Sequence, residues 1–336
     1  MYDNDHQSPR DILVITGANG YLGSHLVAQA LDAGYRVRAT VREDRRGDEL
    51  REDLTRAGQA SLENLEIVLA ELDADAGWAG AMEGARFVLH AASPFPASAP
   101  AHEDEVIAPA RDGAIRVLRA ARDAGVERTV MTSSFAAVGY SPKESASYTE
   151  ADWTDPEGDL QPYIKSKVVA ERAAWDFATT NPGFDLVVIN PVGIFGPALG
   201  PKLSTSVGFV KAMLDGAMKS VPRQHFGVVD VRDTAALHLA ALTHPAAAGE
   251  RFLAVADGPS VSFLDVARML KESLGERASR VPDLEDSMSS DGSDAATIPL
   301  ISNAKAKQLL GWVPRPVRET IVATADSLTG LGLLDQ

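Results

Sequence analysis

The pair of residues with the clearest chemical meaning in this sequence is Tyr163 and Lys167, which stand four positions apart. Residues at this spacing share one face of a helix, so the phenol and the ammonium point into one site. An unperturbed tyrosine has a pKa of about 10, and a neighbouring cation lowers it by stabilising the phenolate. The pair predicts a proton donor, Tyr163, tuned by Lys167. Lys165 lies on a different face of such a helix and is expected to be a bystander.

A second group of polar side chains, Thr132-Ser133-Ser134, follows an apolar run that we interpret as a strand. Parallel sheets bind ligands at the carboxyl ends of their strands. A serine hydroxyl at this point can hydrogen-bond a substrate carbonyl while charge develops on its oxygen. Serines at strand ends are also common turn residues, so this segment alone leaves both interpretations open.

A glycine-rich segment, Thr16-Gly17-Ala18-Asn19-Gly20-Tyr21-Leu22-Gly23, lies between the first predicted strand and the first predicted helix. Gly17 allows a tight turn, Gly20 lets the backbone approach a pyrophosphate, and Gly23 permits close packing of helix and sheet. The N-terminus of the helix adds free N–H groups and positive potential. The spacing is G-x-x-G-x-x-G, and its position between a strand and a helix predicts dinucleotide binding.

The residues after the second predicted strand indicate which dinucleotide binds. A site selective for NAD usually carries an acid about 20 residues beyond the glycines, but the segment Arg38-Ala39-Thr40-Val41-Arg42 contains none. Arg42 is placed where a guanidinium can hold a 2′-phosphate through two parallel hydrogen bonds. We therefore expect NADP(H) as the cofactor, with Arg38, Arg45 and Arg46 adding positive charge. The alternative is a solvated basic loop.

The elements that must position these residues alternate along the first half of the chain, where apolar strands are separated by helical patterns. The predicted strands are Ile12–Thr16, Tyr35–Val41, Leu65–Leu72, Phe87–Ala92, Thr129–Ser133 and Leu186–Ile189, and the predicted helices are Tyr21–Ala33, Ile107–Ala124 and Gln161–Thr180. Strands that are apolar on both faces predict an α/β fold, a doubly wound parallel sheet of the Rossmann type.

The alternation stops beyond Pro197, and this change predicts a smaller C-terminal lobe that binds substrate. We expect the dinucleotide domain to occupy mainly residues 1–197 and the lobe mainly 198–336, with elements free to interleave and ligands in the crevice between them. Helical patterns at 233–242, 263–274 and 316–328 mix with strands at 228–231 and 252–255. The Ser/Asp-rich stretch from Pro282 to Ala296 predicts a flexible surface loop.

Composition excludes several classes of function. The 336 residues carry a formal net charge of −15, which disfavours nucleic acid and anionic membranes as partners. There is no cysteine, and the histidines show no ligand spacing, so we expect no metal. His90, within an apolar strand, is expected to be a satisfied core residue. No apolar run is long enough to span a bilayer and the first ten residues lack signal-peptide character, so we expect a cytoplasmic protein.

Together these segments resemble the extended short-chain dehydrogenase/reductase family, and within it the dihydroflavonol-reductase-like branch of NADPH-dependent aldehyde and ketone reductases. The resemblance covers nearly the whole chain. It includes the glycine turn, Val37-Arg-Ala-Thr-Val-Arg42, Val88-Leu-His-Ala-Ala-Ser-Pro94, Thr132-Ser-Ser134, Tyr163 with Lys167, and Asn190-Pro191 through Gly196-Pro197.

The resemblance implies a role for each matching residue. Ser134 polarises the carbonyl, with Ser133 as the alternative serine, Tyr163 donates the proton, and Lys167 tunes Tyr163 and holds the nicotinamide ribose. The remaining cofactor contacts that it implies are Asn19, Tyr21, Leu22, Arg42, Glu71, Leu72, Ala91, Ala92, Ser93, Thr132, Pro191 and Ile194. The flanking rings of Phe95, Phe135 and Phe195 predict an apolar pocket for a small-molecule substrate, although each ring also fits a plain core.

Two positions depart from the family pattern. Glu71 replaces the aspartate of the adenine contact, and Gly139 replaces an asparagine that flavonoid-reducing members carry. The second departure argues against a polyhydroxylated flavonoid substrate, because its hydroxyls lose a fixed polar partner. Rival readings are a nucleotide-sugar epimerase or dehydratase, which uses the same Tyr163 and Lys167, and a non-catalytic NADP-binding redox sensor. Many members of this branch act alone, so we expect a monomer or a homodimer.

Overall fold

Seven strands form the central sheet of the computed structural model, which describes residues 11–94, 102–141, 143, 147–289, 298 and 300–335. They are β1 (Ile12–Thr16), β2 (Arg36–Val41), β3 (Leu65–Leu69), β4 (Phe87–His90), β5 (Arg128–Thr132), β7 (Leu186–Pro191) and β12 (Arg251–Ala254). Their order is β12-β7-β5-β4-β1-β2-β3, and adjacent strands from β3 to β7 run parallel. Every residue of β4 and β7 is buried, as expected of a sheet covered on both faces. The predicted α/β fold of the Rossmann type is confirmed.

Ten helices accompany the strands in the described part of the chain. They are α1 (Tyr21–Asp32), α2 (Asp44–Arg56), α3 (Trp78–Met82), α4 (Asp104–Asp123), α5 (Pro162–Thr180), α6 (Thr205–Leu214), α7 (Val231–Thr243), α8 (Phe263–Leu274), α9 (Ala304–Leu310) and α10 (Val317–Gly330). None of these helices combines the length and the apolar character that a membrane crossing requires. The helix that carries the tyrosine–lysine pair, α5, begins with a proline in its first turn, where the missing N–H has no cost.

An apolar cluster fixes α5 on the sheet. Ala174 of α5 packs with Leu118 of α4, Met131 of β5 and Val188 of β7, and all four are at most 4 % exposed. Burial of apolar surface at about 25 cal/mol per Å² is the main force that holds such layers together. The helix bearing Tyr163 is therefore docked against the two strands whose ends carry the serine segment and the Asn190-Pro191 segment.

The chain forms two compact units that interleave in sequence. The first comprises the described residues of Met1–Ser133 with Pro156–Ile189 and His238–Arg251, and the second comprises those of Ser134–Asp155, Asn190–Leu237 and Phe252–Gln336. No single boundary near residue 197 separates them, because the chain passes from one unit to the other five times. The first unit holds the glycine turn and the tyrosine–lysine pair, and the second holds Ser134.

The short strands are β6 (Ser147–Tyr148), β8 (Gly193–Phe195), β9 (Val221–Arg223), β10 (His225–Phe226), β11 (Val228–Asp230), β13 (Val261–Ser262), β14 (Glu285–Ser289) and β15 (Leu300–Ile301). One of them corrects a prediction. We predicted a flexible loop from Pro282 to Ala296, but β14 lies within it and pairs in parallel with β9. A partner strand distant in sequence supplies hydrogen bonds that local composition does not reveal. Residues 290–296 lie outside the described residues.

Candidate active site

The glycine turn is packed so tightly that two of its positions accept no side chain. Gly17 has φ +65°, and a Cβ built there would lie 2.8 Å from the Cα of Ala92. A Cβ on Gly23 would lie 2.1 Å from the carbonyl oxygen of Gly17. The backbone at Gly17 therefore lies directly against the loop after β4, and the start of α1 packs directly on the turn. The tight turn and the close packing are therefore as expected, and cofactor binding at this turn, which we call the cradle, stays a prediction.

The first turn of α1 exposes hydrogen-bond donors beside this cradle. The helix begins at Tyr21, its N-cap is Gly20, and no side chain caps it. No acidic residue occupies its first turn. Asn19, Tyr21 and Leu22 are half-buried at the same place. An uncapped helix N-terminus next to a turn without side chains can bind an anionic group such as a pyrophosphate.

A buried hydrogen-bond network ties the turn to the end of β4. The hydroxyl of Thr16 accepts a bond from the N–H of Ala92 at 3.0 Å and lies 2.7 Å from Nδ1 of His90. His90 is 3 % exposed, and burial together with the charge of Lys167 lowers its pKa to about 3. His90 is therefore neutral near pH 7, and its Nδ1 shares a hydrogen bond with the Thr16 hydroxyl. Residues Ala91 and Ala92, which the resemblance places beside the cofactor, are half-buried in this loop.

Arg42 follows directly after β2, and its side chain is exposed. Its guanidinium makes no hydrogen bond or ion pair with another residue that the structure describes, so it is available to a ligand. Arg45 and Arg46 differ, because both pair with Glu49. Arg38 is buried and donates to the carbonyl oxygens of α3 and the residue after it, which makes it part of the fold. Of the four predicted arginines, Arg42 keeps its donors free.

Glu71 and Leu72, the residues predicted to contact the adenine, follow β3 in the chain. The side chain of Glu71 is exposed and Leu72 is half-buried. The backbone carbonyl of Glu71 accepts a hydrogen bond from the indole of Trp78 at 2.8 Å. This bond holds the segment while leaving the Glu71 carboxylate at the surface.

Tyr163 and Lys167 lie together on α5. The Lys167 Nζ is 5.5 Å from the centre of the Tyr163 ring and donates a hydrogen bond to the hydroxyl of Ser93 at 2.9 Å. Burial lowers the pKa of Lys167 to about 8. Tyr163 is 37 % exposed, so its phenol is accessible. Lys165 pairs with Glu103 instead, at 3.0 Å.

The three polar residues at the end of β5 have different partners. Thr132 hydrogen-bonds Nε2 of His238 at 2.8 Å, and the hydroxyl of Ser133 donates to the buried carboxylate of Glu171. Ser133 is 7 % exposed, so its hydroxyl is already engaged in the interior. Ser134 is half-buried, and its hydroxyl oxygen accepts from the N–H of Ala136 at 3.1 Å. That geometry leaves the hydroxyl hydrogen of Ser134 for another acceptor, which favours Ser134 over Ser133 for contact with a carbonyl.

The predicted pocket residues lie in apolar surroundings. Phe135 is 9 % exposed and packs on Tyr148, and Phe195 is 2 % exposed and stacks on Phe226. Both rings are thus explained as core residues of the second unit, and a role in lining a pocket stays a prediction. Phe95 lies outside the described residues. Pro191 is buried at the end of β7, and Ile194 is half-buried in β8.

The sequence analysis did not single out Glu171, although its spacing carried a signal. Glu171 follows Lys167 by four residues, as Lys167 follows Tyr163, so all three share one face of α5. Its carboxylate also pairs with Arg251 at 2.6 Å. An acid four residues beyond the lysine, on the same helix face as the tyrosine–lysine pair, is a detectable pattern. Its distant partner Arg251 was not predictable from spacing.

Comparison with known proteins adds independent information. Residues 13–254 match the model of the NAD dependent epimerase/dehydratase family. The chain is 32 % identical to the cinnamoyl-CoA reductase CAD2 of Medicago truncatula over 328 residues, covering 95 % of each protein. It is 30 % identical to the NADPH-dependent methylglyoxal reductase GRE2 of Saccharomyces cerevisiae, covering 94 % of this chain and 97 % of that protein.

Solved structures show the same likeness in three dimensions. The yeast methylglyoxal/isovaleraldehyde reductase Gre2, solved in complex with NADPH, superposes with a TM-score of 0.79 at 27 % identity. The match covers 96 % of this chain and 99 % of that one. The Gre2 protein of Candida albicans, also solved with NADPH, gives a TM-score of 0.80 at 26 % identity.

Proposed function

This chain belongs to the NAD-dependent epimerase/dehydratase family, and we propose that it is a reductase that converts aldehydes and ketones to alcohols with NADPH. The observation that carries the proposal is the accessible Tyr163 beside Lys167, whose ammonium is held at Ser93. Related proteins of similar length are named as reductases of carbonyl compounds, and two of those names specify NADPH.

The residues present fit NADPH. The cradle at Gly17 and Gly23 has room for backbone approach and none for side chains, and the start of α1 carries no competing acid. The free guanidinium of Arg42 matches a 2′-phosphate. We assign the remaining cofactor contacts to Asn19, Gly20, Tyr21, Leu22, Glu71, Leu72, Ala91, Ala92, Ser93, Thr132, Pro191 and Ile194.

The chemistry divides between cofactor and chain. NADPH, when bound, supplies the hydride that adds to the carbonyl carbon. Tyr163 donates its phenolic proton to the carbonyl oxygen, which thereby becomes the alcohol hydroxyl. Lys167 is mostly protonated near pH 7 because its pKa of about 8 lies above that pH, and its charge lowers the cost of the phenolate that remains. Ser134 donates its free hydroxyl hydrogen to the same carbonyl oxygen.

The position that flavonoid reductases fill with asparagine has no room for a side chain here. A Cβ on Gly139 would lie 2.1 Å from the edge of the Phe135 ring. The ring therefore occupies the place where the first side-chain atom of an asparagine would begin. We propose that the substrate is a small carbonyl compound that does not depend on a polar partner at this position.

Replacing Tyr163 with phenylalanine tests the proposal. Tyr163→Phe removes the transferable proton and should reduce the turnover number by roughly 100-fold or more, while NADPH binds with unchanged affinity. Tyr35→Phe is the matched control, because Tyr35 packs on Phe87 away from α5. Full turnover by the Tyr163→Phe enzyme would refute the assigned proton donor. A wild-type protein that binds NADPH and turns over no carbonyl would instead favour the redox sensor.

We propose further that the enzyme works in the cytoplasm on a freely diffusing small molecule, as a monomer or a homodimer. The net charge of −15 supports a small molecule as the partner, because this charge repels nucleic acid and anionic membranes. Sedimentation of the purified protein over a range of concentrations distinguishes the two assemblies.

A further inference from the structure

We propose that Glu171 is a positioning residue that holds the Tyr163–Lys167 pair in place by locking α5 to the ends of β5 and β12. This inference rests on the proposed function, since it concerns the proton-donating pair. The carboxylate is fully buried, so we assign it no contact with substrate or cofactor. It acts through the helix that it anchors.

The contacts of Glu171 join three elements of the first unit. Glu171 is 0 % exposed, and its Oε1 accepts bonds from Arg251 Nε at 2.6 Å and from Trp175 Nε1 at 3.3 Å. Its Oε2 accepts the hydroxyl of Ser133. Ser133 is itself held by β7, because its N–H donates to the carbonyl of Ile189 at 2.8 Å. Each carboxylate oxygen therefore accepts a hydrogen bond from a residue at the end of a sheet strand, Oε1 from Arg251 and Oε2 from Ser133.

The position of Glu171 on α5 connects its hydrogen bonds to the Tyr163–Lys167 pair. Tyr163, Lys167 and Glu171 are spaced by four residues, so they form one row along the helix. The row runs from an accessible phenol to a fully buried carboxylate. A shift of α5 along its axis, or a rotation about it, would move the whole row and would break hydrogen bonds between buried charged groups.

Stability alone does not explain a buried ion pair at this place. Removing two charges from water costs about as much as their attraction returns, and well-packed apolar residues often stabilise a core as well or better. A charge pair differs from apolar packing because its hydrogen bonds demand one geometry. The Ser133–Glu171–Arg251 network therefore fixes the register of α5, whereas an apolar contact would tolerate small displacements.

A displacement of α5 should change the pKa of Lys167, because it changes the surroundings of the ammonium. The groups that face Lys167 are Tyr163 on its own helix, the hydroxyl of Ser93 and the buried, neutral His90. Burial lowers the pKa of Lys167. If α5 loosens, the half-buried ammonium becomes more exposed to water and its pKa rises towards the ordinary value of about 10.4.

The experiment compares Glu171→Gln with Asp185→Asn. Asp185 likewise pairs with an arginine, Arg128, at 2.7 Å, but this pair is less buried and lies at the opposite end of β5. Both variants remove one carboxylate charge from an arginine pair. Three quantities are measured on folded protein: the turnover number, the KM for the carbonyl substrate, and the pKa of Lys167 from the pH dependence of its 13Cε NMR signal without cofactor.

We expect Glu171→Gln to lower the turnover number at least tenfold with KM changed less than threefold, and to raise the pKa of Lys167. Asp185→Asn should lose stability while keeping the wild-type turnover number and the wild-type pKa. If Glu171→Gln does not fold, Ser133→Ala replaces it, because this change keeps the ion pair and removes the link to β5. Ser133→Ala should lower turnover and raise the Lys167 pKa in the same direction.

A folded Glu171→Gln or Ser133→Ala enzyme that matches Asp185→Asn in turnover and in the Lys167 pKa would overturn the inference. The NMR measurement keeps this outcome separate from failure of the proposed function. If the wild-type protein reduces no carbonyl compound, the Lys167 pKa still shows whether Glu171 positions α5.

Discussion

Protonation of His90 should destabilise the fold as the pH falls. His90 is 3 % exposed, and the Thr16 hydroxyl that accepts from Ala92 lies 2.7 Å from its Nδ1. A proton on the imidazole would place a positive charge in a buried strand, near the charge of Lys167. For these reasons its pKa falls from 6.5 in the unfolded chain to about 3 in the folded one.

The size of the effect follows from this difference. Below pH 6.5 the unfolded chain binds the proton and the folded chain does not, so stability is lost as the pH falls towards 3. Each pH unit in this window removes about 1.4 kcal/mol, so a change from pH 6.5 to pH 4 removes about 3 kcal/mol through His90 alone. This is a large fraction of the 5–15 kcal/mol that typically stabilises a folded protein, roughly a fifth to three fifths.

The assay is urea unfolding at pH 7 and at pH 4 for the wild type and for His90→Asn, whose amide can hydrogen-bond Thr16 without titrating. The free energy of unfolding should fall by about 3 kcal/mol more in the wild type than in the variant. Other titrating groups are common to both proteins and cancel in the difference. Equal losses in the two proteins would show that His90 is not kept neutral by the fold, and would refute this explanation.

Three further changes test the site. Arg42→Ala should raise the Kd for NADPH by roughly 10- to 100-fold, because a charge-assisted hydrogen bond is lost. The Kd for NADH should stay unchanged, and a fluorescence titration measures both constants. Arg45→Ala should change neither Kd, and an equal rise in the Kd for NADPH in both variants would contradict the role of Arg42. Gly23→Ala should weaken NADPH binding and lower stability by about 1–3 kcal/mol or more, measured by calorimetry, whereas Gly80→Ala, with open space around it, should do neither. Lys167→Met should lower the turnover number by roughly 100-fold or more, and a turnover number within a few-fold of wild type would contradict its role.

Much of the first unit was predictable because its signals are local. The strand Ile12–Thr16 was predicted at its observed bounds, since a β-branched run between polar segments leaves few alternatives. The tight turn at Gly17, which has φ +65°, was predicted from the glycine spacing, because a backbone conformation of this kind depends on residue type. The spacing of Tyr163 and Lys167 likewise placed both on one helix.

What the sequence did not predict depends on contacts between distant residues. Helix α2 buries only Gly47, Leu50 and Leu54, so its apolar periodicity is too sparse to stand out among its charges. Strand β14 exists because β9 pairs with it. The partners of Glu171 are separated from it by 38 and 80 residues, and spacing rules do not reach that far.

The most direct test of the proposed function is the oxidation of NADPH by the purified protein in the presence of carbonyl compounds. Aryl ketones, β-keto esters and small aldehydes are each mixed with NADPH and, separately, with NADH, and the loss of reduced-nicotinamide absorbance and the alcohol product are followed. We predict that at least one compound is converted to its alcohol with NADPH and much more slowly with NADH. No turnover with either cofactor, with a nicotinamide cofactor retained through purification, would contradict the reductase function and favour an epimerase or dehydratase.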